Sequence, residues 1–198
     1  TTFYQSLNVD SVFASSNGAD VLRFSTDGSK MYILDKSHDT IFWWNLSVAW
    51  DISTAVYFSS LNVNSGDGAP HSFYIKPDGT KIYLMGGSAD RLVSFTLSTP
   101  WDITTESLDS YSLDQSDYDN APSWFHFNND GTKLYTEAIS NLLQWNLSTA
   151  WDISTASPDI SENVMFLPTQ EANVGSIQLK PDGTKIYIAG KSGDDINE

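Results

Sequence analysis

Asp-Gly recurs at Asp27-Gly28, Asp78-Gly79, Asp130-Gly131 and Asp182-Gly183, in steps of 51, 52 and 52 residues. A chain that rewrites one text at a fixed interval folds as an array of like units, each burying its faces against the next. A second marker, Trp-Asp-Ile, begins at Trp50-Asp51, Trp101-Asp102 and Trp151-Asp152. The eight residues KPDGTKIY stand identically at 76–83 and 180–187, with looser copies FSTDGSKMY and FNNDGTKLY between and before. The units run 18–63, 69–113, 121–166 and 172–198 together with 2–9, with no linker, so 1–198 reads as a single domain.

Within each unit the apolar period is two, which is the period of a strand. Leu22/Phe24, Phe73/Ile75, Phe125/Phe127 and Ile177/Leu179 alternate before the turn. Met31-Tyr32-Ile33 and its copies follow it, and Phe42/Trp44/Leu46, Val93/Phe95/Leu97 and Leu143/Trp145/Leu147 mark a third strand. A weaker fourth strand follows each Trp motif, over 55–63, 106–113 and about 159–166, with 2–9 as its copy at the start. Four short strands per unit of about 51 residues predict an all-β fold, a β-propeller of four antiparallel blades. Stacked helix pairs conflict with the aromatic and β-branched content.

Both markers have structural explanations. Gly takes a positive φ without steric cost, so Asp-Gly between two strands predicts a hairpin. Pro in Lys-Pro-Asp-Gly presets φ before the turn. Lys30, Lys81, Lys133 and Lys185 are expected to solvate the start of the next strand. Trp50, Trp101 and Trp151 are expected to bury flat rings between adjacent blades, while the Asp and Ser/Thr that follow hold the loop through backbone N–H groups.

These hairpins resemble the repeats of YVTN-type and TolB-type β-propellers. Joined to NLSTAWDIST, they look closer still to tandem propeller repeats in proteins of marine bacteria and phages. The resemblance spans all four units and implies the fold. It implies no chemistry, because propellers host many functions.

Composition narrows the partners. The net charge is −15, from 25 acidic and 10 basic residues, and repels phosphate backbones and anionic membranes, so no nucleic acid is expected. The absence of Cys excludes disulfides and thiolate chemistry. No apolar run reaches the roughly 20 residues of a membrane helix, so no membrane insertion is expected. The sequence reads as a mature chain or a piece of a larger one. Its ends are complementary, since Thr1 aligns near Thr54 and Ile196 with Ile41. The strand over 2–9 is therefore expected to complete the last blade and close a ring. The rivals are a longer array and self-association of partial rings.

Function is expected where the copies stop agreeing. The loops before the first strand (ASSNGAD, SGDGAP, SDYDNAP, PTQEANV) and between the second and third (DKSHD, GGSAD, AIS, GKSGDD) differ in length and text. Seven residues before each turn Asp stand Asp20, His71, Ser123 and Gly175, and three later Arg23, Tyr74, His126 and Gln178. They belong on the innermost strands, at a channel mouth, and with Trp124 they form the candidate ligand-binding set. His38 reads as a loop residue. Asp114, Asp117, Asp119 and Asn120 share one loop and are a weak candidate for Ca²⁺. No catalytic set and no other cofactor are evident. The expected function is a non-enzymatic module for recognition or spacing, extracellular or on a virion, with a protein or glycan partner. The alternative is a hydrolase or lyase with its active site at the channel mouth.

Overall fold

The computed structural model describes residues 6–9, 11–13, 20–119, 122–138, 141–159, 164–166, 174–180, 185–190 and 196–197. Each repeat forms its own antiparallel sheet. The first is β1 (Val21–Phe24), β2 (Lys30–Asp35), β3 (Thr40–Leu46) and β4 (Ala55–Asn62), hydrogen-bonded in that order. The second is β5 (Pro70–Ile75), β6 (Lys81–Gly86), β7 (Arg91–Leu97) and β8 (Glu106–Asp114). In the third, β9 (Phe125–Phe127), β10 (Lys133–Ala138) and β11 (Asn141–Leu147) are followed by β12 (Ala156–Pro158) and β13 (Val164–Phe166), which pair with two stretches of β11. The fourth has three described strands, β14 (Val174–Leu179), β15 (Ile186–Gly190) and β16 (Ile196–Asn197). The chain divides into two compact units, Thr1–Leu84 with Val93–Ser110 and Met85–Leu92 with Tyr111–Glu198.

The two markers prove to be one joint. Gly28, Gly79 and Gly131 have φ near +72°, at 71°, 74° and 72°. The Trp of the same repeat folds back over that turn: Trp50, Trp101 and Trp151 donate their backbone N–H to the carbonyls of Gly28, Gly79 and Gly131 at 3.0, 2.8 and 2.9 Å. The indole lies so close that a Cβ on any of these glycines would fall 2.3 Å from the ring. The Trp residues themselves take φ of 64–66°, a left-handed conformation that an L side chain adopts at a cost of about 1–2 kcal/mol. Each ring thus covers its own sheet's turn, a contact not expected from the sequence. Trp101 then also borders the core between the first two sheets, where Tyr32 Oη donates to its carbonyl at 2.6 Å. After the Trp, Asp51, Asp102 and Asp152 cap short 3₁₀ turns by accepting from Ser53, Thr104 and Ser154 N–H. Asp182 and Gly183 lie outside the described residues.

The lysines do more than solvate. Lys30 Nζ sits 4.3 Å over the Trp43 ring and donates to Asn45, while Lys81 pairs with Asp109 at 2.6 Å across the second sheet. In the first unit, Tyr32, Leu34, Ile41 and Trp43 of the first sheet pack on Phe73, Ile82, Leu84 and Ile103 of the second. These residues are at most 3 % exposed. Residues 6–9, the described part of the segment expected to close the last sheet, form no strand. Leu7 and Val9 pack on the core of the first sheet.

The turn carboxylates give the fold an acid limit. Asp27 is pulled down to about 2 by hydrogen bonds from Ser25 and Ser29. Asp130 is lowered by Thr132. Asp78 is lowered too, because Lys76 and Thr80 outweigh the burial that would raise it. A folded-state pKa below the unfolded value contributes stability that is present above the ordinary carboxylate range and lost as pH falls through the folded value. The urea midpoint should hold near pH 5 and fall steadily from pH 4 to 2, and Asp27→Asn should flatten part of that slope. A midpoint flat down to pH 2 would remove the role assigned to these turns.

Candidate functional site

The loop joining β2 to β3 carries the one His–carboxylate hydrogen bond among the interactions described. At the end of β2 the repeat places Asp35 where the other copies have Gly86, Ala138 and Gly190. A carboxylate thus replaces a glycine or alanine, and it is fully buried. It accepts from Ser37 N–H at 2.8 Å and faces His38 Nδ1 at 2.8 Å. An ionised carboxylate only accepts, so Nδ1 carries the hydrogen and Nε2 is left as the basic nitrogen. The His38 ring is 39 % exposed, so that nitrogen is within reach of solvent.

The loop is held open by its backbone. Asp39 takes φ of 49°, which Asp tolerates better than most side chains, and its carbonyl accepts from Val63 N–H at 2.7 Å. Asp90 repeats this with φ of 48° and Gln115 N–H, so the turn is common to the repeat and only the side chains on it are new. Burial raises the Asp39 carboxyl, with the charges of Asp67 and Asp35 adding to the rise. Asp67, 3 % exposed, caps Ala69 N–H at 2.8 Å. From the other side, Asp20 accepts from Lys36 N–H at 3.0 Å and holds the Lys36 ammonium loosely at 4.0 Å. A partly buried, acidic end with a single oriented imidazole results. Among the described residues no three His, Asp or Glu side chains are placed to hold a metal ion.

The candidates read from the sequence fall into separate places. Asp20 joins the His38 loop. Arg23 lies opposite Tyr32 on β2, His126 opposite Tyr135 and Gln178 opposite Tyr187, so the polar series occupies one register position on the innermost strands. In the first unit β1 runs beside β5. There Arg23 reaches over the Phe73 ring at 5.8 Å, and its charge acts on Tyr74, whose hydroxyl is raised by burial. Burial lowers Arg23. His71 is half-buried on β5. In the second unit Trp124 stacks on His126, with centroids 6.4 Å apart and planes 9° apart, and Gln178 is exposed.

Asp114 caps Ser116 N–H at 2.9 Å, while Tyr118 and Asp119 N–H bond to the Gln115 carbonyl, so that loop is accounted for by its own hydrogen bonds. Asp117 is exposed, and Asn120 lies outside the described residues. His38 lies in the turn between β2 and β3, as expected of a loop residue, and there it has a carboxylate partner. The signal in the sequence was Asp35, an acid at a position otherwise held by Gly or Ala.

No family model matches the chain, and no curated protein does. Solved structures do. A protein of Bacteroides uniformis provisionally named 6-phosphogluconolactonase matches with a TM-score of 0.59 and 16 % identity, over 87 % of this chain and 50 % of that one. The periplasmic gluconolactonase of Pseudomonas aeruginosa matches with 0.57 and 13 %, over 90 % and 48 %. The Swd1 β-propeller domain of Myceliophteria thermophila matches with 0.58 and 14 %, over 89 % and 51 %. The fold is a β-propeller fold, and the chain spans about half the length of these proteins. Two of the three carry lactonase names. That finding goes against the expected non-enzymatic recognition or spacing module.

Proposed function

We propose that the chain is part of a propeller hydrolase that opens sugar lactones, with its chemistry at the Asp35–His38 end of the first sheet. The observation that carries this reading is the 2.8 Å contact between a fully buried carboxylate and the Nδ1 of an exposed imidazole, at a position where the repeat otherwise has Gly or Ala. A buried acid costs free energy unless its partners satisfy it, and Asp35 spends its acceptors on orienting His38. The lactonase names among structures of the same fold support the reaction class.

The roles follow from the chemistry. His38 Nε2 takes a proton from a water that attacks the lactone carbonyl carbon, and Asp35 stabilises the imidazolium formed. The Lys36 ammonium is the positive charge on that loop for the developing oxyanion. Collapse of the tetrahedral intermediate breaks the ring C–O bond. The ring oxygen takes the proton back from His38, and lactone plus water becomes a hydroxy acid.

The net charge of −15 and the carboxylates of Asp20, Asp39 and Asp67 around the loop favour a neutral lactone over a phosphorylated one. The test is a comparison of gluconolactone with 6-phosphogluconolactone at matched concentration and low salt. A higher kcat/KM on the neutral lactone is expected. A preference for the phosphorylated substrate would overturn the assignment of this acidic end.

A further inference from the structure

The polar break at Arg23 has no part in the chemistry proposed above, yet it is a buried charge that the fold leaves unanswered. β1 and β5 are edge strands of the first and second sheets and lie side by side. Arg23 stands at their junction, half-buried, with its guanidinium carbon 5.8 Å from the centre of the Phe73 ring. A guanidinium has five N–H donors. Among the described residues Arg23 spends one of them, from Nη1 to the Leu22 carbonyl at 2.9 Å.

The other cations show what is missing. Lys36, Lys76 and Lys81 meet carboxylates at 4.0, 2.7 and 2.6 Å. Lys30 makes no such pair, but the charges of Asp27 and Asp102 still act on it. Among the described residues no carboxylate lies within 4.0 Å of Arg23, in a chain with 25 acidic residues. The group whose charge supports Arg23 against burial is Tyr74, and burial raises that hydroxyl, so it is neutral at pH 7. A cation drawn out of water without a counter-ion costs free energy. The fold does not demand that cost, because the same position holds Tyr74, His126 and Gln178 in the other copies.

We propose that the edge-strand junction at Arg23 binds the carboxylate of a small hydroxy acid. The planar fork of a guanidinium matches the two oxygens of a carboxylate with two parallel hydrogen bonds. The carboxylate site rests on Arg23. The choice of a hydroxy acid rests on the lactone reading, because that acid is what ring opening yields. Asp20, which holds the His38 loop, is three residues from Arg23 along the chain, about 10 Å of extended backbone. An extended gluconate is of comparable length.

Isothermal titration calorimetry of the whole chain with sodium gluconate, at pH 7 and low salt, tests this. Glucitol, the same polyol without the carboxylate, is the control. Gluconate is expected to bind at least about 10-fold more tightly than glucitol, the low end for a charge-assisted pair. Arg23→Gln should abolish that difference. Arg23→Lys, which keeps the charge and loses the fork, should restore part of it. His38→Gln should bind gluconate as wild type does, which separates this site from the reaction. A chain that opens no lactone yet binds gluconate through Arg23 loses the reaction and keeps the site. A wild type that does not distinguish gluconate from glucitol overturns the inference, whether or not Arg23→Gln folds. So does an Arg23→Gln protein that still prefers gluconate. Inorganic phosphate that displaces gluconate at equal concentration overturns it too, by making Arg23 a general anion site.

Discussion

If the chain opens lactones as proposed, replacing His38 by Gln should lower kcat/KM by about 10²–10⁴-fold, the range of a lost general base. Gln keeps the size and a hydrogen bond to Asp35, but it has no basic nitrogen to take the proton of water. The side chain is 39 % exposed and lies outside the apolar cores, so the circular dichroism spectrum and urea midpoint should match wild type. Asp35→Asn is the companion. The amide can orient the ring but cannot stabilise the imidazolium by charge, so its loss should be smaller than that of His38→Gln. The steady-state rates of the two variants and wild type, measured side by side, check the order. A His38→Gln protein with wild-type kcat/KM would place the chemistry elsewhere.

Gly79→Ala is expected to cost about 3–4 kcal/mol, a sum of two physical terms. The first is the positive φ of 74°, worth roughly 1–2 kcal/mol for any residue with a Cβ. The second is the Trp101 ring, whose Cδ1 stands 2.3 Å from the new methyl group. The ring cannot yield cheaply, because its backbone is tied to Gly79 O at 2.8 Å and to Tyr32 Oη at 2.6 Å, and it borders the first unit's core. Displacing it forfeits part of the 3–5 kcal/mol typical of a buried Trp. At about 2–4 °C per kcal/mol for a chain of this size, Tm falls by roughly 10 °C.

A double-mutant cycle separates the terms. In a Trp101→Ala background, Gly79→Ala should cost only its backbone share. Gly28→Ala should cost less than Gly79→Ala, because Trp50 is 59 % exposed and has solvent to move into. Equal costs at both glycines, or additivity in the cycle, would contradict the joint described between the two repeated motifs.

That joint shows which parts of this molecule are legible in sequence. The spacing of Asp-Gly and the two-residue apolar period led directly to antiparallel four-stranded sheets, because each rests on local backbone preference repeated four times. The union of Asp-Gly with Trp-Asp-Ile was not legible. It depends on a left-handed Trp, a conformation that no propensity of Trp foretells, and on the absence of a Cβ 20 or 22 residues upstream. Of the segment over 2–9, expected to complete the last sheet, residues 6–9 are described, and there Leu7 and Val9 follow the packing rule of Leu61 and Val63.

For the proposed site, the divergent loops drew attention to that end of the blades, but not to Asp35. Arg23, His71, Tyr74, Trp124, His126 and Gln178 drew attention as polar breaks in the repeat. Asp35 is a break of the same kind, Gly or Ala becoming Asp, but it lies at a strand end among loop text that varies in every copy. Only its burial, and the contact of its carboxylate with His38, distinguish it from drift.

The most direct measurement is proton release from gluconolactone in a pH-stat at pH 7, wild type beside His38→Gln and beside buffer. The expected wild-type rate is first order in protein, saturates with lactone and exceeds spontaneous hydrolysis, with His38→Gln close to the buffer line. A wild-type rate no greater than buffer, or one that His38→Gln leaves intact, would contradict it.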